Sequence, residues 1–343
     1  MNAILDTASM AESVLDTRGR PLRDLRLSVT DACNFRCPYC MPADQVGDAP
    51  VFDSAARLSF DDIDTLVRAF VVNGVRKLRI TGGEPLLRKG LPTLVERLAR
   101  IDGLDDIALT TNGSLLARHA RALRDAGLHR ITVSLDALDA NVFSALSGGR
   151  GNVTDVLAGI DAAVEAGFGS IKLNCVVQRG INESEVLPLA AHFRHTPHVL
   201  RFIEYMDVGT CNGWDLARVV PSRELHARID ANWPLRALQP CADGEVAVRH
   251  GYVDGAGEVG FVSSVSTPFC SDCNRARVAA DGTLYTCLFA GQGTALRAAV
   301  VDGLDAAALQ VGSIWRARDD RYSELRMQAD APRRHVEMFL VGG

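Results

Sequence analysis

The stretch Leu25-Arg-Leu-Ser-Val-Thr-Asp-Ala-Cys33-Asn-Phe-Arg-Cys37-Pro-Tyr-Cys40 joins an alternating apolar and polar segment to three closely spaced cysteines. Alternation with a period of two is typical of a β-strand, because successive side chains point to opposite faces of the sheet. The cysteines follow the carboxyl end of this predicted strand, and barrels of alternating strands and helices carry their active sites at that end. The segment therefore predicts a strand that leads into a thiolate-rich site.

The same unit of strand and helix recurs along the chain. Period-two patterns predict six strands, near residues 25–30, 77–81, 106–111, 130–135, 170–177 and 199–205. A helix is predicted after Ser59, which forms a capping-box pattern with Asp62, and Gly74 predicts its end. Further helices are predicted near 91–100, 115–126, 152–166 and 183–194. Alternating strands and helices predict an α/β fold with a parallel sheet or barrel.

One face of most predicted strands is polar, whereas the inner face of an ordinary barrel is packed with apolar side chains. Because helices must cover the apolar faces, we expect the polar faces to line the interior of an open, partial barrel that encloses a polar ligand. The sixth strand is ambiguous, since Arg201 and Glu204 lie on opposite faces. The side chains predicted to face inward are Arg26, Ser28, Thr30, Arg79, Thr81, Thr110, Thr132, Ser134, Lys172 and Asn174.

Length and pattern predict more than one domain. The 343 residues exceed the roughly 250–300 at which a single core usually stops growing. The strand and helix pattern ends near residue 235 and gives way to glycine-rich sequence, followed by a helix-like stretch over 305–318. We expect a flexible N-terminal extension over 1–20, a partial barrel over 21–235 and a smaller C-terminal domain over 236–343.

Charge and hydropathy exclude some functions. The net charge of −5 argues against broad nucleic-acid binding. No apolar run approaches the roughly 20 residues that span a bilayer, and the first residues lack the basic start of a signal peptide. We therefore expect a cytoplasmic protein that acts on neither nucleic acid nor membrane.

Cysteine usage points to metal chemistry, because nine cysteines without an export signal are unlike a disulfide framework. Six of them form two groups of three, and the second group is Cys270, Cys273 and Cys287. Structural zinc prefers four closed ligands, whereas three thiolates on a four-iron cube leave one iron open for a reaction. For the second group, zinc and iron–sulfur ligation both remain open on spacing alone. Arg275 and Arg277 beside it are suited to phosphate contacts.

The C-x3-C-x2-C spacing with an aromatic residue before the last cysteine resembles the hallmark of radical S-adenosylmethionine (SAM) enzymes. Gly82-Gly83-Glu84-Pro85 after the second strand is similar to the SAM-binding segment of that superfamily. The resemblance implies that Cys33, Cys37 and Cys40 hold a [4Fe–4S] cluster whose open iron binds SAM. It also implies that one electron cleaves SAM to a 5'-deoxyadenosyl radical.

Several motifs together resemble the GTP 3',8-cyclase (MoaA) family over almost the whole chain, from about residue 20 onward. They are residues 81–88 (TGGEPLLR), 110–113 (TTNG), 202–209 (FIEYMDVG), the second cysteine group with Arg-Ala-Arg, and the terminal Gly342-Gly343. The resemblance implies an incomplete six-unit (β/α) TIM-like barrel, closed by a smaller C-terminal domain that carries a second [4Fe–4S] cluster. It implies removal of the ribose 3'-hydrogen of GTP, C3'–C8 bond formation and reduction to 3',8-cyclo-7,8-dihydro-GTP, in the first step of molybdopterin biosynthesis.

The same resemblance implies roles for individual residues. It places Tyr39, Gly83, Ser134 and Met206 around SAM, and Cys270, Cys273 and Cys287 on the second cluster. It suggests that the tail Gly342-Gly343 enters the barrel mouth and orders the substrate pocket. The positions that match GTP contacts are Arg26, Arg79, Thr110, Lys172, Arg275, Ala276 and Arg277.

The resemblance further implies GTP as substrate, an electron donor such as flavodoxin or ferredoxin, transfer of the product to cyclic pyranopterin monophosphate synthase, and a possible homodimer. Two other interpretations stay open. One is a radical SAM peptide maturase with an auxiliary cluster, although such domains generally have more clustered cysteines. The other is a non-catalytic scaffold that binds zinc.

Overall fold

The structure, a computed structural model, describes residues 13–342 except 45, 48, 50, 242–243 and 327–334. Six strands alternate with helices through the first two thirds of the chain, as the sequence predicts. The strands are β1 Asp24–Ser28, β2 Lys77–Thr81, β3 Asp106–Thr111, β4 Arg130–Ser134, β5 Lys172–Val177 and β6 Val199–Glu204. The helices are α1 Phe60–Val72, α2 Leu91–Leu98, α3 Leu116–Asp125, α4 Ala140–Leu146, α5 Val153–Glu165, α6 Val186–Phe193 and α7 Ser222–Asp230.

Local sequence signals set the helix limits. Ser59 and Asp62 form the predicted capping box at the start of α1, and Gly74 follows its end with a φ of 103°. The short helix α4 is not among the predicted helices; Asp139 caps it by accepting hydrogen bonds from the backbone N–H groups of Asn141 and Val142. Among the described residues, no helix is both long and apolar enough to cross a membrane.

The remaining elements belong to the C-terminal third. The strands are β7 Leu235–Ala237, β8 Val248–Tyr252, β9 Glu258–Val262, β10 Arg275–Val278, β11 Thr283–Tyr285 and β12 Thr294–Ala295. The helices are α8 Arg297–Asp302, α9 Leu304–Arg316, α10 Tyr322–Leu325 and α11 Met338–Val341. The helix predicted over 305–318 is therefore confirmed as α9.

A single sheet connects both parts of the chain in the order β12-β11-β10-β1-β2-β3-β4-β5-β6-β9-β8-β7. The strands from β10 through β1–β6 to β9 are parallel, and the two outer strands at each end pair in antiparallel fashion. Because β10 adds to β1 and β9 adds to β6, C-terminal strands extend both edges of the six-strand unit. Because β10 runs parallel to β1 and Arg275 pairs with Asp24, Cys270 and Cys273, which directly precede β10, lie toward the amino end of β1.

Strand alternation builds the core as predicted. Leu25 and Leu27 of β1 and Leu78 and Ile80 of β2 are buried against helices such as α1. Since side chains alternate across a strand, the polar residues between them lie on the opposite face of the sheet.

The N-terminal segment differs from the flexible extension expected over 1–20. Residues 1–12 lie outside the described residues, but the segment 13–20 is held to the rest of the protein at Val14, Asp16 and Arg20. The Val14 backbone N–H donates to the Asn73 carbonyl at 3.0 Å, and the side chains of Asp16 and Arg20 are 0% and 3% exposed. The segment has no helical or strand periodicity, and Arg318, far along the chain, helps to bury Asp16.

Candidate active site

A cavity of about 790 Å³ lies against the inner face of the sheet, within the size range of small-molecule sites. The polar strand faces line this cavity, as the alternation predicts. The inward-facing residues found in its wall are Arg26, Arg79, Thr81, Thr110, Ser134, Lys172 and Asn174. The other three side chains predicted to face inward are buried and are not among the wall residues: Ser28, Thr30 and Thr132. Both cysteine groups contribute to the same wall.

The first cysteine group occupies the loop after β1. The Cys40 backbone N–H donates to the Cys37 carbonyl at 3.0 Å, which closes a tight turn. The Arg36 side chain is buried beneath the loop and donates to the Cys33 and Phe35 carbonyls at 2.8 Å. Burial raises the pKa of Cys33 to about 11 and that of Cys37 well above its usual value, so binding a metal must displace thiol protons.

The residues expected around SAM lie beside this loop, since Tyr39, Gly83, Ser134 and Met206 all line the cavity. The Tyr39 hydroxyl donates to Asp136 at 2.6 Å. A Cβ at Gly83 would overlap the backbone carbonyl of Ala32, so the glycine is required because the cysteine loop packs against it. The structure thus adds a packing reason for the Gly-Gly pair.

Glu84 connects the loops that follow β2 and β3. Its fully buried carboxylate accepts from the Leu86 N–H at 3.0 Å and from the Thr111 hydroxyl and the Asn112 N–H at 2.8 Å. Burial raises the pKa of Glu84 to about 7, although these donors oppose the shift. The Gly-Gly-Glu segment therefore braces the cavity wall through hydrogen bonds within the chain.

The second cysteine group faces the same cavity from the C-terminal third. The Cys273 backbone N–H donates to the Cys270 carbonyl at 3.3 Å, and Arg275 lies 3.5 Å from the Cys273 sulfur. Burial would raise the pKa of Cys273, but Arg275 and Arg318 outweigh it and lower that pKa to about 6. Burial raises the pKa of Cys287 to about 12.

Positive side chains form the wall between the two cysteine groups. Burial, together with Arg277, Arg275 and Arg79, lowers the pKa of Arg26 well below its usual value. The Nε atoms of Arg26 and Arg79 are buried and have no hydrogen-bond partner within the described part of the chain. Buried donors without partners are uncommon, and an anionic ligand such as a phosphate group would satisfy them.

Lys172 stands in this wall at the start of β5. Burial lowers its pKa to about 8, and the nearby Arg201 and Arg130 add to the shift. Because this pKa still lies above neutral pH, Lys172 carries its charge there, in a setting that favours an anionic partner.

Thr110 orients another cation of the wall, since its hydroxyl accepts a hydrogen bond from Arg79 at 3.1 Å.

One expected GTP contact, Ala276, and the expected pocket-ordering residue Gly342 are not among the residues of the cavity wall. The Ala276 side chain is buried in the core and is not part of the cavity wall. Gly342 lies outside the wall residues but packs against Thr81, and Arg277 donates to its carbonyl and, at 3.3 Å, to the Val341 carbonyl. Gly343 lies outside the described residues.

The structure adds wall residues that the sequence left ambiguous or unassigned. Arg201 faces the cavity and donates to Asn174 at 3.0 Å, whereas Glu204 points away and accepts from the Ser222 N–H at 2.7 Å at the start of α7. Asp136, which holds Tyr39, follows β4 and was not predicted. The sequence feature that could have identified Asp136 is an acidic side chain directly after a strand whose inner face is polar.

Among the described residues, no three His, Cys, Asp or Glu side chains converge as the ligands of a single metal ion would. The thiolates of an iron–sulfur cube bind three different irons, so they need not meet at one point. Three free cysteines in each group suit a cube with one open iron. Cys211, whose sulfur lies 3.8 Å from the Cys40 carbonyl, is a further cysteine beside the first group.

Two family models match consecutive parts of the chain. The model of the radical SAM superfamily matches residues 27–193, and the model named Molybdenum Cofactor Synthesis C matches residues 198–324.

Solved structures show a similar fold at low sequence identity. Streptococcus suis SuiB bound to S-adenosylmethionine matches with a TM-score of 0.58 and 15% identity over 78% of this chain and only 60% of SuiB. The anSMEcpe structure with bound AdoMet and Cp18Cys peptide matches with a TM-score of 0.55 and 13% identity over 93% and 94% of the two chains. These matches show an α/β radical SAM fold alone.

Sequence relatives are much closer. A GTP 3',8-cyclase of Xanthomonas axonopodis pv. citri is 63% identical over 97% of this chain and 100% of the relative. Those of Acidothermus cellulolyticus and Staphylococcus aureus are 52% and 43% identical, over 96% and 97% of this chain and 93% and 100% of the relatives. This chain therefore belongs to the GTP 3',8-cyclase family of the radical SAM superfamily.

Proposed function

We propose that the chain converts GTP to 3',8-cyclo-7,8-dihydro-GTP, the first step of molybdopterin biosynthesis. The observation that carries this proposal is that two groups of three cysteines and a cationic wall share one cavity. When bound, the first cluster and SAM would supply the 5'-deoxyadenosyl radical that takes the hydrogen from ribose C3'. The protein's own part is to hold SAM and GTP in the reacting arrangement and to keep water out.

The SAM side of the cavity is assigned to residues around the first cluster. Cys33, Cys37 and Cys40 would hold that cluster, and Tyr39 and Gly83 would contact SAM next to it. Ser134, the last residue of β4, and Met206, just after β6, would complete the SAM pocket. The hydrogen bond from Tyr39 to Asp136 keeps the aromatic side chain in place before SAM binds.

The GTP side is assigned to the cationic wall. Arg26, Arg79, Lys172, Arg275 and Arg277 would neutralise the triphosphate, because guanidinium groups match the geometry of phosphate oxygens. Thr110 would contact GTP while it orients Arg79. For Ala276, a GTP contact would have to come from its backbone, since its side chain is buried in the core.

Cys270, Cys273 and Cys287 would hold the second [4Fe–4S] cluster, whose open iron would face the guanine base. The cysteines line the same cavity as the cationic wall, which supports a role in substrate binding.

In this arrangement residues 21–235 form an incomplete six-unit barrel, and residues 236–343 close its mouth and carry the second cluster. The electron donor would be a flavodoxin or ferredoxin, and the product would pass to cyclic pyranopterin monophosphate synthase. The chain would form a homodimer, which sedimentation of the purified protein tests.

Anaerobic turnover with SAM, a chemical reductant and GTP tests the function directly. We expect 5'-deoxyadenosine to form in step with the cyclised nucleotide, and ATP in a matched incubation to give no cyclised product. A peptide maturase would instead leave GTP unchanged under these conditions. A zinc scaffold would purify anaerobically as a colourless protein with zinc, rather than as a brown protein with about eight irons per chain.

Alanine at Arg275 or Arg277 is expected to weaken GTP binding by roughly 10- to 150-fold, because a charged hydrogen bond contributes about 1.5–3 kcal/mol. Both clusters should remain, since these side chains neutralise phosphates rather than ligate iron. Equilibrium binding of GTP to the anaerobic enzyme and iron content measure the two effects. Arg97→Ala, which removes a guanidinium from an exposed ion pair with Asp61, is the control. Unchanged GTP affinity in both cavity variants would reject the assignment.

Lys172 should make GTP binding depend on pH. Its pKa is lowered to about 8 by burial, so the charged form that attracts phosphate is lost as pH rises above that value. GTP affinity is therefore expected to be highest below about pH 8 and to fall from there upward, with bound GTP shifting the fall to higher pH. Lys172→Arg keeps its charge throughout this range and should remove that fall. Identical pH profiles for the wild type and Lys172→Arg would contradict the role.

A further inference from the structure

A buried ionic cluster of Asp16, Arg20 and Arg318 lies behind the second cysteine group. The Asp16 carboxylate accepts from Arg20 Nε at 2.6 Å and from Arg318 Nη1 at 3.1 Å. Its other oxygen accepts from the backbone N–H groups of Arg18 and Arg20, both at 2.9 Å. The side chains of Asp16, Arg20 and Arg318 are 0%, 3% and 1% exposed, so water is almost excluded from the cluster.

Both arginines also donate hydrogen bonds to the loop that carries Cys270 and Cys273. Arg20 Nη1 donates to the carbonyl of Cys270 at 2.7 Å, and Arg318 Nη1 donates to the carbonyl of Cys273 at 2.8 Å. One carboxylate therefore holds two guanidinium groups, and each of them fixes the peptide of one cysteine. Arg318 lies 302 positions from Asp16 along the chain, so only the fold brings these two side chains together at this loop.

Other contacts lock the two arginines. The indole N–H of Trp315 donates to the Arg20 carbonyl at 3.1 Å, and the Arg318 guanidinium lies 4.5 Å from the centre of the Trp315 ring. Asp320 accepts from Arg318 Nε at 3.3 Å, and its backbone carbonyl accepts from Arg20 at 2.7 Å. Arg20 Nη2 is buried without a hydrogen-bond partner in the part of the chain that the structure describes. That donor remains available for a further acceptor beside the cysteines.

Burying a carboxylate with two guanidinium groups gives little net stability, because the desolvation cost offsets most of the attraction. A well-packed apolar cluster would hold the segment to the protein as firmly. What an ionic cluster adds is direction, since each guanidinium donates at fixed angles to a named carbonyl. Partners that orient metal ligands in this way typically change metal affinity by about 10–100-fold when they are removed.

We propose that Asp16 is a positioning residue for the second cluster: through Arg20 and Arg318 it holds the backbone of Cys270 and Cys273 in the arrangement that binds iron. The inference rests on the proposed second cluster. It makes the segment around Asp16, which sequence periodicity leaves without a role, part of that site. The first cysteine group has no contact with this ionic cluster among the hydrogen bonds of the described residues.

The test is iron content and the electron paramagnetic resonance spectrum of the full chain with Asp16→Asn, after anaerobic reconstitution. We expect iron to fall from about eight to about four per chain, because the second cluster is lost or becomes labile while the first remains. The spectrum of the reduced protein should keep the signal that responds to SAM and lose the signal that responds to GTP. Arg318→Lys, which keeps the charge but cannot donate in the same directions, should give an intermediate loss.

Asp319→Asn is the matched control, because Asp319 is 66% exposed and pairs with Arg18 at the surface next to the ionic cluster. It should retain all iron and both signals. Full iron and an unchanged GTP-responsive signal in both Asp16→Asn and Arg318→Lys would overturn the positioning role. Equal loss of both clusters together with a lowered unfolding midpoint would also overturn it, since Asp16 would then serve the fold as a whole. A wild-type chain that binds only about four irons would instead refute the proposed second cluster.

Discussion

Alanine in place of Cys37 is expected to abolish SAM cleavage while the fold stays intact. The three cysteines of the first group share one loop at the carboxyl end of β1, and all of them line the cavity. Removing an outer partner of a metal site typically costs about 10–100-fold, so loss of a ligand should reduce 5'-deoxyadenosine formation by more than about 100-fold. The same result is expected for Cys33→Ala and Cys40→Ala, because a three-thiolate site has no spare ligand.

The measurement is 5'-deoxyadenosine released under reducing, anaerobic conditions, with iron content determined on the same sample. Arg97→Ala is the control, since Arg97 forms an exposed ion pair with Asp61 and neither residue belongs to the cavity wall. It should retain iron and activity. SAM cleavage that persists in Cys37→Ala with full iron content would refute the assignment of this group to the reactive cluster.

Deletion of Gly342 and Gly343 is expected to remove most GTP-dependent 5'-deoxyadenosine formation and to leave both clusters in place. Gly342 has a φ of 68°, and a Cβ there would overlap the Thr81 side chain. Arg277, an expected GTP contact, donates to the Gly342 carbonyl, so the tail holds a cation of the cavity wall. Misplacing a reacting group by about 1 Å can cost about 100-fold in rate, and a loss of this order is expected.

Single substitutions separate the geometry of the tail from its length. Gly342→Ala introduces both a steric overlap with Thr81 and a strained backbone, so it should reduce turnover nearly as much as the deletion. Residues added after Gly343 should have a similar effect, because added bulk must fit the same narrow space. Gly169→Ala is the control: a Cβ there meets nothing within 4 Å. Turnover at the full-length rate in the truncated protein would show that the tail is dispensable, and iron content with the unfolding midpoint would identify a general loss of structure.

The repeated elements follow from local sequence. Period-two alternation predicts all six strands of the first part, with limits that differ from the structure by at most two residues. It also predicts that Arg26, Arg79 and Lys172 face the interior, because a strand places every second side chain on the same face. Cysteine spacing points to both groups: Cys33, Cys37 and Cys40 share one short loop, whereas Cys287 follows β11 and joins Cys270 and Cys273 through the pairing of β10 with β11.

Local pattern is insufficient where the partner is distant. Arg201 and Glu204 alternate like any strand residues, and only the packing of α7 against the sheet shows which of them enters the cavity. The N-terminal segment mixes acidic, small and apolar residues, and this composition predicts a flexible extension. Its Asp16 is buried by Arg318, which lies 302 positions away along the chain.

The sequence by itself therefore determined the strand and helix order, the inward polar face and the identity of the two cysteine groups, because each depends on residues that are close along the chain. Only the tertiary structure decided that both groups share one cavity, that C-terminal strands extend both edges of the sheet, and that Gly342 lies against Thr81 and Arg277. These arrangements depend on how separate elements pack. Packing is set by the shapes and charges of surfaces that come together only in the folded chain.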